Sequence, residues 1–181
     1  MAMLVHICCA PCFAYPHKKL REDGYDVVGF WYNPNVHPYM EYRAREDAVK
    51  KYASLEDVEV HHGDYDLLSY LQESVAAMQA GGRRERCQRC YRYRLEETAR
   101  HASDNDFDAF TSTLLVSHHQ QHDAIRDIGV ELGERYGIPF HYEDFRVGWD
   151  QGKAIAVQYG LYRQKYCGCI FSEWERYRDS L

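Results

Sequence analysis

No stretch of this chain approaches the roughly 20 consecutive apolar residues a membrane span needs, so no membrane-spanning helix is expected. The amino-terminal MAMLVHICC lacks the basic segment and apolar core of a secretory signal, and the chain is expected in the cytosol. There is no GxGxxG and no P-loop. The first loop, CCAPCF, has no glycine with which to cradle a phosphate, which disfavours an ATP site there. Excess positive charge is also missing. A formal net charge of −6 argues against indiscriminate nucleic-acid binding, which draws on phosphate neutralisation. Low-complexity tracts, internal repeats and a dividing linker are absent, and residues 1–181 are expected to form one domain.

What is present suits a packed core: 45% of the residues are hydrophobic and 28% charged. Met3–Ile7 is too short for a helix and predicts a buried strand. Tyr15–Asp23 predicts a helix capped at Gly24, and YDVVGFWY (Tyr25–Tyr32) a second strand. NPNVHP is a loop, Tyr39–Tyr52 a helix and Val58–His62 a strand. Helices follow over Asp66–Ala80 and Cys87–Ala102, separated by Gly81-Gly82. Asp108–Val116 is a fourth strand, Gln121–Tyr136 a helix ending at Gly137, and Ile138–Tyr142 a last short strand. Two more helices, near Gln151–Tyr159 and Glu173–Asp179, flank the final cysteines. This alternation predicts an α/β fold with a mostly parallel sheet flanked by helices. Ligands in such folds sit beyond the carboxyl ends of the strands. The loops Cys8–Phe13, Asn33–Pro38 and Ser117–Gln120 leave those ends, which puts cysteine-rich loops at the functional edge.

Seven cysteines are many for a cytosolic chain, where a disulfide framework is disfavoured and metal or redox chemistry is favoured. They fall in three groups: Cys8-Cys9-x-x-Cys12, Cys87-x-x-Cys90 and Cys167-Gly168-Cys169. A CxxC at a helix start turns two sulfurs to one point, and the helix dipole favours the thiolate. Two separated pairs assemble four thiolates around zinc or an iron–sulfur cluster, and spacing alone does not choose between them. Closure of the tight CxC pair gives a strained, easily reduced disulfide, and Gly168 permits the backbone angles it needs. Such a dithiol fits an electron relay, ligands to a second metal, or simply two buried thiols.

Other groups carry weaker signals. GRRERCQRCYRYRL holds Arg83, Arg84, Arg86, Arg89, Arg92 and Arg94 against the single acid Glu85, either a solvated helix face or a local basic patch. HHGDYD and SHHQQHD place His and Asp at metal-like spacings, with His118 and His122 on one helix face. Asn33, His37 and Tyr39 are placed to contact a substrate or to serve turn chemistry. Among sixteen tyrosines, Tyr91, Tyr93, Tyr162 and Tyr166 flank cysteines, where stacking on bases competes with ordinary packing.

HICCAPC, YNPNVHP, ERCQRCYRYRLEETA, DAFTSTLLVS and LYRQKYCGCIFSE, in that order over nearly the whole chain, resemble the epoxyqueuosine reductase QueH family. One departure is Ser117-His118-His119-Gln120, where the family pattern has Ser-Pro-Tyr-Gln, which puts contacts from that loop in doubt. The resemblance implies a Rossmann-like sheet similar to the nucleotide α-hydrolases, with cysteines in place of the phosphate loop. It implies reduction of epoxyqueuosine at the tRNA wobble position to queuosine, with release of water. It implies a [4Fe–4S] cluster on Cys8, Cys9, Cys87 and Cys90. Cys167 and Cys169 then form a redox pair or ligate an additional mononuclear iron, for which Cys12, otherwise unassigned, is a candidate ligand. His37 and Tyr166 are candidate proton donors. Asn33, His37, Arg83, Arg84 and Arg89 are candidate substrate contacts, the arginines toward anticodon phosphates. The external electron donor is not written in the sequence. Two competitors remain: a zinc-binding RNA module without redox activity, and a thiol–disulfide oxidoreductase acting on proteins.

Overall fold

The computed structural model describes residues 1–179. Four parallel strands form its sheet in the order β3-β2-β1-β4: β1 (Ala2–His6), β2 (Asp26–Trp31), β3 (Val60–His62) and β4 (Ala109–Ser112). Met3, Leu4 and Val5 of β1 are fully buried in succession, as expected of a central parallel strand covered on both faces. Helix α1 (Ala10–Glu22) packs on α2 (Tyr39–Glu56) and on α5 (Trp149–Gln158). Helix α3 (Leu67–Asp104) packs on α4 (His122–Tyr136), and α6 (Ile170–Tyr177) follows the last cysteine. Since all strands run one way, the loops after β1, β2 and β4 share one edge of the sheet, as the sequence predicts. No helix among the described residues is long and apolar enough to cross a membrane.

Three elements differ most from expectation. Helix α1 begins at Ala10 rather than Tyr15. Cys9, extended at φ −172°, is its N-cap, and Pro11 occupies the first turn, where its missing N–H is not needed. Cys12 is therefore helical. The break expected between the helices over Asp66–Ala80 and Cys87–Ala102 is present: Gly81 and Gly82 leave helical geometry inside α3, Gly82 at φ +67°. The fourth strand stops at Ser112, whose hydroxyl accepts from Leu114 N at 3.1 Å and turns Thr113–Val116 into a 3-10 helix. The last expected strand reduces to one parallel bridge, Phe110 to Phe140. Its backbone bonds Phe110 N to Pro139 O at 3.1 Å and His141 N to Phe110 O at 2.8 Å, but Pro139 has no N–H to extend the ladder.

Candidate redox and RNA-binding site

Cys8, Cys9 and Cys12 follow directly on β1. Among the described residues they are the one group of three or more such side chains whose ligand atoms all lie within 4.8 Å of one another. The 3-10 helix after β4 supports them: Cys8 N donates to Thr113 Oγ1 at 2.9 Å, and the same hydroxyl donates to Cys8 Sγ at 3.2 Å. Gln164 Nε2 donates to Cys9 Sγ at 2.8 Å. Hydrogen bonds from Cys12, then from Cys9 and Thr113, hold the Cys8 thiol well below its ordinary range against the opposing effect of burial. The complementary effect pushes Cys12 up, through its bond to Cys8, and burial pushes Cys9 up. His6, just before them, is fully buried, donates to or accepts from Ser112 Oγ at 2.9 Å, and is driven down to about 3 by burial, so it stays neutral.

Cys87 and Cys90 lie on α3 beyond its bend and stand outside that tight group. Burial raises the Cys87 thiol, and the neighbouring Cys90 raises it further. Four residues past Cys90 is Arg94, only 2% exposed. Its Nε donates to Cys90 O at 3.3 Å, its Nη2 has no hydrogen-bond partner, and no carboxylate pairs with it among the described residues. Burial opposes its charge, but Cys90, Cys167, Tyr70 and Cys8 around it hold its pKa above the ordinary value. One buried guanidinium is therefore common to the first, second and third cysteine groups.

The third group is fastened to the loop after β2. Arg45 of α2, 2% exposed and paired with Glu41 at 2.7 Å, donates to Cys167 O at 2.9 Å and Tyr166 O at 3.1 Å. His37 N donates to Gly168 O at 2.8 Å, and Ile170 N donates to His37 Nδ1 at 3.3 Å. Gly168 has φ +137°, and an added Cβ would come within 3.1 Å of Arg45 Nη1 and Val36 Cγ2. Cys169 is buried and caps α6, its Sγ accepting from Ser172 N at 3.4 Å. Cys167 is open toward a cavity of about 490 Å3 whose walls also carry Cys8, Cys12, Arg94 and Arg83. Enclosure on its other sides raises the Cys167 thiol to about 11, and Gln120 Nε2 donates to its sulfur at 3.6 Å. All seven cysteines are free thiols in this structure.

The remaining candidates separate by environment. Asn33 is 1% exposed and ties its loop to β1, donating from Nδ2 to Ile7 O at 2.7 Å. His37 is buried and lowered by that burial, with Nε2 unpartnered. Neither residue lines the cavity. Tyr166 does line it, but its hydroxyl is spent on His37 O at 2.5 Å. The arginine run divides: Arg83, Arg84 and Arg89 are exposed, whereas Arg86 is buried against Glu175 at 2.8 Å. Arg83 and Arg84 also line an adjoining cavity of about 650 Å3 with His119 and Gln88, and Arg84 has no ion-pair partner among the described residues. Tyr91 is buried and donates to Gln120 Oε1 at 2.7 Å, and Tyr93 donates to Asp66 at 3.2 Å, so both serve packing. The histidine groups do not assemble a metal site. His122 bonds Ser117 O at 3.2 Å, His61 meets His101 at 2.8 Å, and His62 meets Glu46 at 3.1 Å. Arg45, Arg94, Thr113 and Gln164 carry no motif signal.

Cys8, Cys9 and Cys12 form a donor set able to hold a metal ion or cluster. Several cysteine sulfurs are buried, one is already biased toward thiolate, and an unneutralised guanidinium waits among them for an anion.

Comparison with known proteins agrees in its own terms. The family model described as epoxyqueuosine reductase QueH matches residues 3–175. A protein named epoxyqueuosine reductase QueH from Dehalococcoides mccartyi is 36% identical over 176 residues, covering 97% of this chain and 94% of that one. Its namesake from Thermotoga maritima is 35% identical, covering 96% and 91%. In fold alone, the chain is similar to a predicted subunit of a tRNA methyltransferase from Methanocaldococcus jannaschii, with TM-score 0.56 and 12% identity over 87% of this chain and 76% of that one.

Proposed function

The chain belongs to the epoxyqueuosine reductase QueH family of oxidoreductases, and from that premise we propose that it reduces epoxyqueuosine to queuosine at the wobble position of tRNA. Loss of the epoxide oxygen as water consumes two electrons and two protons. Oxidation of the Cys167 and Cys169 thiols to a disulfide releases that same number of each, so the pair balances the reaction when it acts as the reductant.

The observation that carries this reading is the cavity wall. Cys8, Cys12 and Cys167, from distant parts of the chain, open into one space beside the buried cation Arg94. Cys8, Cys9, Cys87 and Cys90 would hold a [4Fe–4S] cluster, which supplies electrons singly when bound. Arg94 offsets negative charge at those sulfurs. Arg45 and His37 hold the Cys167–Cys169 loop against the cavity. An additional iron on that loop is the other use of the same two sulfurs. The cavity would receive a nucleoside flipped out of its stack, as chemistry on a single base requires. Arg83 lines it, Arg84 lines the adjoining cavity and Arg89 is exposed on the same helix, and these cations suit phosphates of the anticodon loop.

A second ligand set is favoured by the 4.8 Å grouping of Cys8, Cys9 and Cys12, a three-thiolate site with one open position. The test is conversion of epoxyqueuosine in tRNA by anaerobically purified protein, read by mass spectrometry of the released nucleosides. We expect queuosine from the wild-type chain. With Cys167→Ser and Cys169→Ser we expect none, while the visible colour of the protein is retained. Turnover by either variant removes the pair from the mechanism.

A further inference from the structure

The wall of the 490 Å3 cavity is mostly polar. Apart from its cysteines, its apolar members are Leu114, Trp149 and Tyr166. Leu114 is 2% exposed and offers almost no surface. Tyr166 has the Arg45 guanidinium 5.6 Å from its ring centroid and its hydroxyl bonded to His37 O at 2.5 Å. Trp149 brings the largest ring. Trp31 is fully buried and Trp174 lies outside this wall, so Trp149 is the tryptophan that a molecule in the cavity can meet.

The position of Trp149 is set by close packing of two helices. It opens α5, which lies on α1, whose first turn carries Cys12. A Cβ on Gly152 would lie 2.7 Å from Pro11 O, and one on Gly148 would strike the Tyr15 ring. Small residues on both sides of Trp149 therefore let α5 approach the cysteine turn and fix the indole beside it. Lys153, one turn further along α5, places its Nζ 5.2 Å over the ring centroid, a cation–π contact from within the same helix. Asp150 holds that ammonium at 3.3 Å. His118, on the exposed loop after β4, stands at 80° to the indole with the ring centroids 5.9 Å apart.

We propose that Trp149 stacks on the base of the nucleoside that enters this cavity. This rests on the reading of the cavity as the site of the wobble nucleoside. A base that leaves its strand gives up its stacking neighbours, and sites for flipped bases restore that contact with aromatic or apolar side chains. A volume of 490 Å3 is in the range of about 300–1,000 Å3 usual for small-molecule sites, in which an apolar surface carries the ligand and a few polar groups orient it. Here Cys8, Cys12 and Cys167 share the wall with the indole, so a base lying on Trp149 occupies the same space as the sulfurs.

The test uses the full chain, purified anaerobically, with two synthetic anticodon stem–loops, one carrying epoxyqueuosine and one abasic at the wobble position. Single-turnover conversion of the first gives a half-saturating protein concentration, and fluorescence anisotropy gives the affinity for the second. Trp149→Ala should raise the half-saturating concentration about tenfold and leave the affinity for the abasic stem–loop unchanged, and Trp149→Phe should stay close to wild type in both. An unchanged half-saturating concentration overturns the stack and leaves the tRNA reading standing. Equal weakening of the abasic stem–loop does the same, because it places the effect of Trp149 on the fold or the RNA backbone. No conversion by wild type overturns both. Should Trp149→Ala fail to fold, tryptophan emission answers the same question. The epoxyqueuosine stem–loop should quench part of the wild-type emission, the abasic one should not, and Trp149→Phe should lack the quench. A quench absent from wild type, or persisting in Trp149→Phe, overturns the stack.

Discussion

The guanidinium of Arg45, buried in α2, donates a 2.9 Å hydrogen bond to the backbone carbonyl of Cys167, 122 residues further along the chain. Its second arm takes Tyr166 O, and Glu41 holds its Nε at 2.8 Å. A buried ion pair therefore holds the CGC loop together with the bonds from His37 and Ser172. Arg45→Met leaves Glu41 without its partner and should cost roughly 3 kcal/mol in urea denaturation. It should also accelerate alkylation of Cys169, which is buried in the wild type. An unchanged urea midpoint together with unchanged labelling would show that the loop holds itself.

Ligand assignment is settled by composition rather than by activity. With Cys8, Cys9, Cys87 and Cys90 as the cluster set, Cys87→Ser should lose most of its iron and acid-labile sulfide, and Cys12→Ser should retain about four of each. The reverse outcome selects the compact group of Cys8, Cys9 and Cys12.

Arg94 places a positive charge among Cys8, Cys90 and Cys167 without a carboxylate to neutralise it. A nearby cation favours the more negative, reduced state of a redox centre. Arg94→Gln should therefore shift the midpoint potential of the loaded protein to more negative values, and Arg94→Lys should restore most of it. Electron paramagnetic resonance during a potentiometric titration reads the difference.

Among the exposed arginines, Arg84 is free of ion pairing whereas Arg92 is tied to Glu131 at 2.8 Å. Arg84→Glu should weaken tRNA binding and flatten the slope of log K against log salt by about 1. Arg92→Gln should change the slope little. Filter binding between low and moderate salt distinguishes them, and equal slopes for wild type and Arg84→Glu return that residue to a plain solvated face.

His17 is 1% exposed, hydrogen-bonded to Tyr52 Oη at 2.9 Å, and lowered by burial from 6.5 to about 4. Below pH 6.5 the unfolded chain takes up a proton that the folded chain refuses. The contribution of neutral His17 is complete above that pH and is lost as pH falls toward 4. Thermal melts between pH 7 and pH 4 should show this loss. His17→Phe, which stacks in the same place beside Phe13, should show a shallower dependence.

Elements with strong local signals were readable in advance. YDVVGFWY contains β2, Gly137 ends α4 in the left-handed conformation, and the alternation of strand and helix implied the parallel sheet. Failures fell where a single side chain outweighed the pattern. Ser112 stopped a strand that TLLV would have continued, and Pro139 reduced another to a bridge. Asn33 and His37, expected as substrate contacts, are buried and serve as loop supports, their side chains bonded to Ile7 O and Ile170 N.

The sequence by itself determined the α/β class, the placement of cysteines beyond the strand ends, and the membership in a family, because periodicity, turn chemistry and motif spacing are local properties of the chain. Only the tertiary structure decided which sulfurs are neighbours, that Arg94 is buried unpaired while Arg84 faces solvent, and that Trp149 lines the cavity. Both arginines stand in one basic run on one helix, and no local pattern distinguishes them. The difference arises from which face of α3 meets the core, and so from packing of segments far apart in the chain.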